Sequence, residues 1–154
     1  MSDTVTAEIA SPYGPLSVTE SNGAIVAINW KTPQIPQTSA LLEETAGQLA
    51  AYFAGELKTF DLPLKPRGDQ FQQAVCDLML KIPYGETTTY GKIAEKLDTY
   101  GQPVGQACGG NSIPIIIPCH RVLSADGIGG YSGDGGVERK IALLKHEGGF
   151  PYLL

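Results

Sequence analysis

Cys119, His120 and Arg121 stand side by side in "IPIIIPCHRVLSADG", residues 113–127, directly after three isoleucines set between two prolines. A free cysteine has a pKa of about 8.5, so only a few per cent is thiolate at neutral pH, and a nearby base or cation raises that fraction. His120 is such a base and Arg121 such a cation. Side chains adjacent in sequence diverge, so His120 would reach Cys119 through a water or across a sharp turn, and it needs a carboxylate to orient its ring. Taken alone, the triplet fits equally well a small buried thiol beside a satisfied polar residue at a strand end.

The elements that must position these residues can be read from periodicity. The isoleucine run reads as a short strand buried on both sides, a rigid apolar floor from which a proline-bounded turn exposes the thiol at the lip. Upstream, "FQQAVCDLMLKI" carries Phe71, Val75, Leu78 and Ile82 on one helical face, with Asp69 and Gln72 in capping-box spacing. "TTTYGKIAEKLD" offers threonine caps and a stripe of Tyr90, Ile93, Ala94 and Leu97, and "PVGQACGGN" makes a third short helix with Pro103 in its first turn. Two short helices joined by the turn "TYGQP" suggest a helix-turn-helix. A last helix runs from about Val137 to Glu147, with Gly148 as its stop. Glu147, a carboxylate at a helix C-terminus, meets an unfavourable dipole and wants a partner such as His120.

The first part of the chain reads differently. "VTAEIA", "LSVTE" and "AIVAINW" alternate as antiparallel strands between the turns "SPYGP" and "SNG", and a helix follows from Ser39 on Leu42, Ala46, Leu49 and Phe53, stopped by Gly55. "LKTFDLPLKPRGD" continues as a further strand or extended piece and a linker. The boundary falls at Pro66, between an N-terminal α/β lobe, residues 1–66, and a C-terminal domain, residues 67–154. The fold class is α+β.

At 154 residues and 42% hydrophobic content the chain is long enough for a core. No run suffices for a membrane span and the N-terminus lacks the blocks of a signal peptide, so a cytoplasmic location is expected. The three cysteines and two histidines match no metal pattern or disulfide framework, and Cys76 and Cys108 read as packing residues. A net charge of −5 argues against bulk electrostatic binding of nucleic acid, but residues 1–64 hold two lysines against seven acids while residues 65–154 balance nine against nine. A local basic face in the second part is therefore compatible with the total. The six glycines from Gly127 to Gly136 do not satisfy G-x-G-x-x-G, because Ser132 takes the third glycine position. A dinucleotide site is rejected.

"IPCHRV", preceded by Asn111 and followed by "GGYSG" and "LLKHEG", resembles the active-site signature of the O6-alkylguanine-DNA alkyltransferases, and "FQQAVCDLMLKIPYGETTTYGKIAEKL" is similar to the segment leading into that family's helix-turn-helix. The resemblance is close over about residues 69–149; the first lobe agrees in its order of strands then helix. It implies a ribonuclease H-like N-terminal lobe and a C-terminal domain that binds double-stranded DNA and accepts the alkyl group. The damaged guanine would be flipped into a pocket and its alkyl group passed irreversibly to Cys119, the protein acting once, as a monomer and without cofactor or metal. Carried over, Cys119 is the acceptor, His120 takes its proton through a water, Glu147 holds the imidazole and Asn111 supports the network. Tyr90 would donate a hydrogen bond to the leaving guanine and Ser132 would contact its oxygen, with Tyr131 and Gly133 of the glycine loop walling the pocket. Gln102, Gly105, Gln106 and Lys92 would face DNA. Arg121 reads as structural, bridging the lobes or the turn. Lys92, Lys96 and Lys140 are of a type most often solvated.

The sequence departs from the family's pattern in three places. "QPVG" stands where the family carries an arginine in "RAVG", so the residue that would fill the gap left by the flipped base is the shorter, uncharged Gln102, and weaker DNA binding or slower repair is expected. "ACGG" lacks the usual basic residue, which predicts a shallow salt dependence. The loop "YSGDGGVERK" is about two residues longer than usual. Two other functions remain open on the residues: a protein that binds alkylated DNA with little or no transfer, and a Cys-His-Glu hydrolase turning over many times.

Overall fold

Alternation along the first residues becomes three strands, β1 (Thr4–Ile9), β2 (Leu16–Ser21) and β3 (Ala24–Asn29), paired antiparallel in the order β1-β2-β3. The computed structural model describes residues 4–125, 127–128 and 136–148. Two compact units are present, Met1–Pro66 and Arg67–Leu154. In the first, Asn22 and Gly23 both take positive φ, +52° and +80°, the two-residue turn whose twist matches a hairpin. Helix α1 (Ala40–Phe53) is capped by Ser39, which accepts from the Leu42 amide and donates to Glu20. Its buried residues are Leu42, Thr45, Leu49 and Tyr52, so the inner face is turned from the expected Ala46 and Phe53. The polar members tolerate this. Thr45 returns its hydroxyl to the Leu41 carbonyl at 2.8 Å, and the Tyr52 ring lies 5.4 Å from that of Phe60. The extended segment after α1 reaches the edge of the sheet, where Ile25 exchanges two 2.8 Å backbone bonds with Pro63 and Lys65.

The second unit is mainly helical. Helix α2 (Gln70–Leu80) is capped by Asp69, which accepts from the Gln72 amide; Gln72 does not close the box but sends its amide 2.6 Å to the Ala107 carbonyl. Its buried positions, Val75, Cys76 and Met79, overlap the expected stripe only at Val75. The chain then turns through Pro83–Glu86 into the two-residue strand β4 (Thr88–Thr89). Thr89 caps α3 (Tyr90–Lys96), and α4 (Gly101–Gly109) follows at once, packed on α3 and on α2. After a tight 3-10 turn at Cys119–Arg121, strand β5 (Val122–Leu123) pairs parallel with β4, and α5 (Gly136–Glu147) ends the described chain. Among the described residues no helix is long and apolar enough to cross a membrane.

The isoleucine run is a turn and not a strand. Ile117 bonds back to the Ile113 carbonyl at 2.9 Å, closing one helical-type turn, while Asn111 accepts from the Ile113 amide at 3.0 Å and donates to the Ile117 carbonyl at 2.8 Å. Pro114 and Pro118 have no amide to give a ladder, and the Asn111 side chain takes the bonds that a neighbouring strand would have made. Ile115 sits at φ +76°, a conformation that a β-branched residue adopts only when its surroundings enforce it. Ile113, Ile115, Ile116 and Ile117 are all buried, so the run is core despite its shape.

Candidate active site

Cys119 opens the 3-10 turn with its amide bonded to the Ile117 carbonyl at 2.8 Å. It is only 5% exposed, so the turn folds the thiol inward and does not present it at a lip as expected. Burial pushes the thiol up to about 11, against a lowering by a hydrogen bond from Asn111 and by the charge of Lys140. The resting group is a neutral thiol.

His120 is fully buried and its Nε2 lies 2.8 Å from Glu147 Oε2. A carboxylate only accepts, so Nε2 carries the proton and Nδ1 holds the lone pair. Nδ1 makes no hydrogen bond among the described residues. Burial lowers the imidazole pKa, with the Glu147 contact opposing it, so the ring is neutral at pH 7. Arg121 completes the cluster: Nε and NH2 donate to the two Glu147 oxygens at 2.8 and 2.9 Å, and NH1 donates to the Ile82 carbonyl at 2.6 Å. One guanidinium thus joins the 3-10 turn to the ends of α2 and α5, all within the second unit. Gly148 follows Glu147 at φ +75°, ending α5 where the carboxylate must stand, and Gly85, at φ +82°, passes so close that a Cβ there would lie 3.2 Å from the Glu147 carbonyl oxygen.

Lys140 is the residue that sequence reasoning missed. It is fully buried, where a solvated side chain was expected, and its Nζ donates to the Val122 carbonyl at 2.7 Å. The ammonium also lies 3.5 Å from Tyr90 Oη and 5.7 Å from the centre of that ring. Burial lowers its pKa to about 8, opposed by the nearby thiols of Cys119 and Cys108. A signal existed in the register: Lys140, Leu143, Leu144 and Glu147 fall at i, i+3, i+4 and i+7, and all four are buried on α5.

The remaining predicted residues divide. Gln102, Gln106 and Lys92 are exposed and Gly105 is half-buried, with α4 carrying no charged side chain at all. Lys92 lines a cavity of about 200 Å³ together with Lys81 and Lys96. Tyr131, Ser132 and Gly133 lie outside the described residues. What the described cluster can do chemically is hold a neutral thiol beside a buried neutral imidazole, with a cation and a phenol close by, in a dry setting suited to nucleophilic displacement.

Comparison with known proteins places both units in one family. Residues 70–149 match the family described as 6-O-methylguanine DNA methyltransferase, DNA binding domain, and residues 5–66 its ribonuclease-like domain. A methylated-DNA–protein-cysteine methyltransferase of Methanosarcina acetivorans is 40% identical over 149 residues, covering 90% of this chain and 94% of its own. One from Mycobacterium bovis is 43% identical over 150 residues, covering 90% and 89%. The crystal structure of a Mycobacterium tuberculosis O6-methylguanine methyltransferase superposes with a TM-score of 0.84 at 39% identity over 98% of this chain and 96% of that one. Mycobacterium tuberculosis OGT in complex with DNA gives 0.83 at 41% identity, over 93% and 92%. On both of its units, therefore, the chain belongs to the 6-O-methylguanine DNA methyltransferase family.

Proposed function

We propose that the protein repairs DNA by a single, irreversible transfer of the alkyl group of O6-alkylguanine to Cys119. The observation that carries the reading is the buried His120–Glu147–Arg121 cluster, which leaves His120 Nδ1 as a lone-pair nitrogen one residue from a neutral thiol. As the guanine enters, the thiol proton passes through a water to Nδ1. The sulfur then forms its bond to the alkyl carbon while the carbon–O6 bond breaks with its electrons on the guanine. Tyr90 donates a hydrogen bond to the leaving base as its ring becomes anionic, with Ser132 at its oxygen and Tyr131 and Gly133 as pocket wall. Lys140 steadies both partners, being coupled to the sulfur and adjacent to the Tyr90 hydroxyl. Asn111 keeps the turn that carries Cys119.

Gln102, Gly105, Gln106 and Lys92 face double-stranded DNA, and the protein acts as a cytoplasmic monomer. Intact and peptide mass spectrometry after incubation with a duplex oligonucleotide bearing one O6-methylguanine tests the reading. One added methylene unit on Cys119, stopping at one equivalent, is the expected result. No added mass with the DNA still bound would replace it by recognition of alkylated DNA without transfer, and repeated turnover on an ester by a hydrolase.

A further inference from the structure

Tyr100 is 80% exposed, the most exposed large hydrophobic residue described in this chain. It occupies the N-cap of α4, a position that favours Ser, Thr, Asp or Asn, and makes no capping hydrogen bond there. Nor does its ring touch another ring or its hydroxyl find a partner among the described residues. Folding therefore gives no reason for an aromatic at this point.

Its location supplies one. The next residue, Gly101, is a neighbour of Tyr90: a Cβ built on it would stand in ordinary contact, 3.8 Å from the Tyr90 Cβ. The exposed ring is thus carried on the turn of the helix-turn-helix, one residue from a glycine that neighbours Tyr90, whose hydroxyl lies 3.5 Å from the Lys140 ammonium. The outward residues of α4, Gln102 and Gln106, have no aromatic ring to stack on a base. A nucleotide drawn out of a duplex leaves an unstacked gap whose cost must be met, and an aromatic side chain inserted at the step meets it without sequence preference.

We propose that Tyr100 is the stacking residue of this protein, its ring occupying the place of the extruded guanine against the flanking base pair. This rests on the alkyl-transfer reading above. The ring holds the gap open while the base is in the pocket, so it acts by positioning DNA and takes no part in bond making.

The test compares transfer to one O6-methylguanine in a duplex with transfer to the same lesion in a single strand, together with the fluorescence of 2-aminopurine placed beside the lesion. Tyr100→Ala is expected to slow the duplex reaction by roughly 5- to 150-fold, the range of one lost base–aromatic stack, and the single-strand reaction by less than about 3-fold. Tyr100→Phe and Tyr100→Trp should restore the duplex rate, and 2-aminopurine quenching by the unaltered protein should be lost only in the alanine variant. A duplex rate unchanged in Tyr100→Ala overturns the proposal. So does an equal loss on both substrates, which marks a folding role, or failure of Tyr100→Phe, which marks the hydroxyl. If the unaltered protein transfers nothing to either substrate, the transferase reading itself falls, and this inference with it.

Discussion

In the proposed transfer, Cys119 and His120 start in the wrong protonation states for a ready nucleophile and in the right ones for a proton handover. The thiol is pushed up to about 11 and the imidazole is lowered, both by burial, so the rest state is neutral on both sides. His120 must be neutral to accept, and a lowered pKa keeps it neutral further into acid; the acid limb of the transfer rate on duplex DNA should therefore fall below pH 6.5, as stopped-time quench across pH 5–8 would reveal. His120→Gln should cost about 100- to 10,000-fold in that rate, the usual contribution of a positioned general base. Arg121→Met leaves the Glu147 carboxylate buried and uncompensated, and a urea titration should register about 3–5 kcal/mol of lost stability. Cys119, His120 and Glu147 could be singled out from the sequence because a thiol, an imidazole and a C-terminal helix carboxylate each have a chemical signature, and the structure brings the last two together. Lys140 was not, because lysine is solvated nearly everywhere and only its register with Leu143, Leu144 and Glu147 sets it apart.

At the scale of elements, the helix-turn-helix was readable from caps and stripes, since Thr89 and the α3 apolar positions act locally. The isoleucine run was misread because its geometry is imposed from outside, by the Asn111 side chain and two prolines, and short apolar runs carry no periodicity that separates strand from turn. The inner faces of α1 and α2 were rotated from expectation for a different reason: Thr45 and Cys76 lie inside, their polar atoms met within their own helices by the Leu41 carbonyl and the Gln72 amide. The uncharged outer face of α4 has a measurable counterpart. Binding to duplex DNA should show a shallow dependence of log K on log salt, and Gln102→Arg should steepen that slope by up to about 0.9, the value for one neutralised phosphate, while raising the duplex repair rate. An unchanged slope and rate would show that position 102 stands away from DNA.

For the whole molecule, charge and titration are unevenly placed. The acidity of the chain sits in residues 1–64, while residues 65–154 balance nine basic against nine acidic groups, so the net charge of −5 misrepresents the part that matches a DNA-binding domain. Such a division is visible in sequence; the burial that sets protonation is not. In alkali the unfolded chain releases the Cys119 proton from about pH 9 whereas the folded one holds it to about 11, so folding stability falls as pH rises through that window. Lys140 runs the other way, its ammonium being disfavoured in the fold, so it adds stability as pH rises from about 8 to 10.5. Urea midpoints measured from pH 8 to 11 should decline less steeply in Cys119→Ala than in the unaltered protein, because one of the groups that lose has been removed.

The inward thiol has a meaning for how long the molecule keeps. A reagent that works once is spent by whatever alkylates or oxidises it first, and electrophiles and oxidants reach thiolates at a surface far more readily than a protonated sulfur under a turn. With Cys119 at 5% exposure and its proton retained, slow labelling of this thiol by iodoacetamide in the absence of DNA is expected, as peptide mass spectrometry would measure. A cell can therefore hold the protein in stock, unspent, until a lesion arrives.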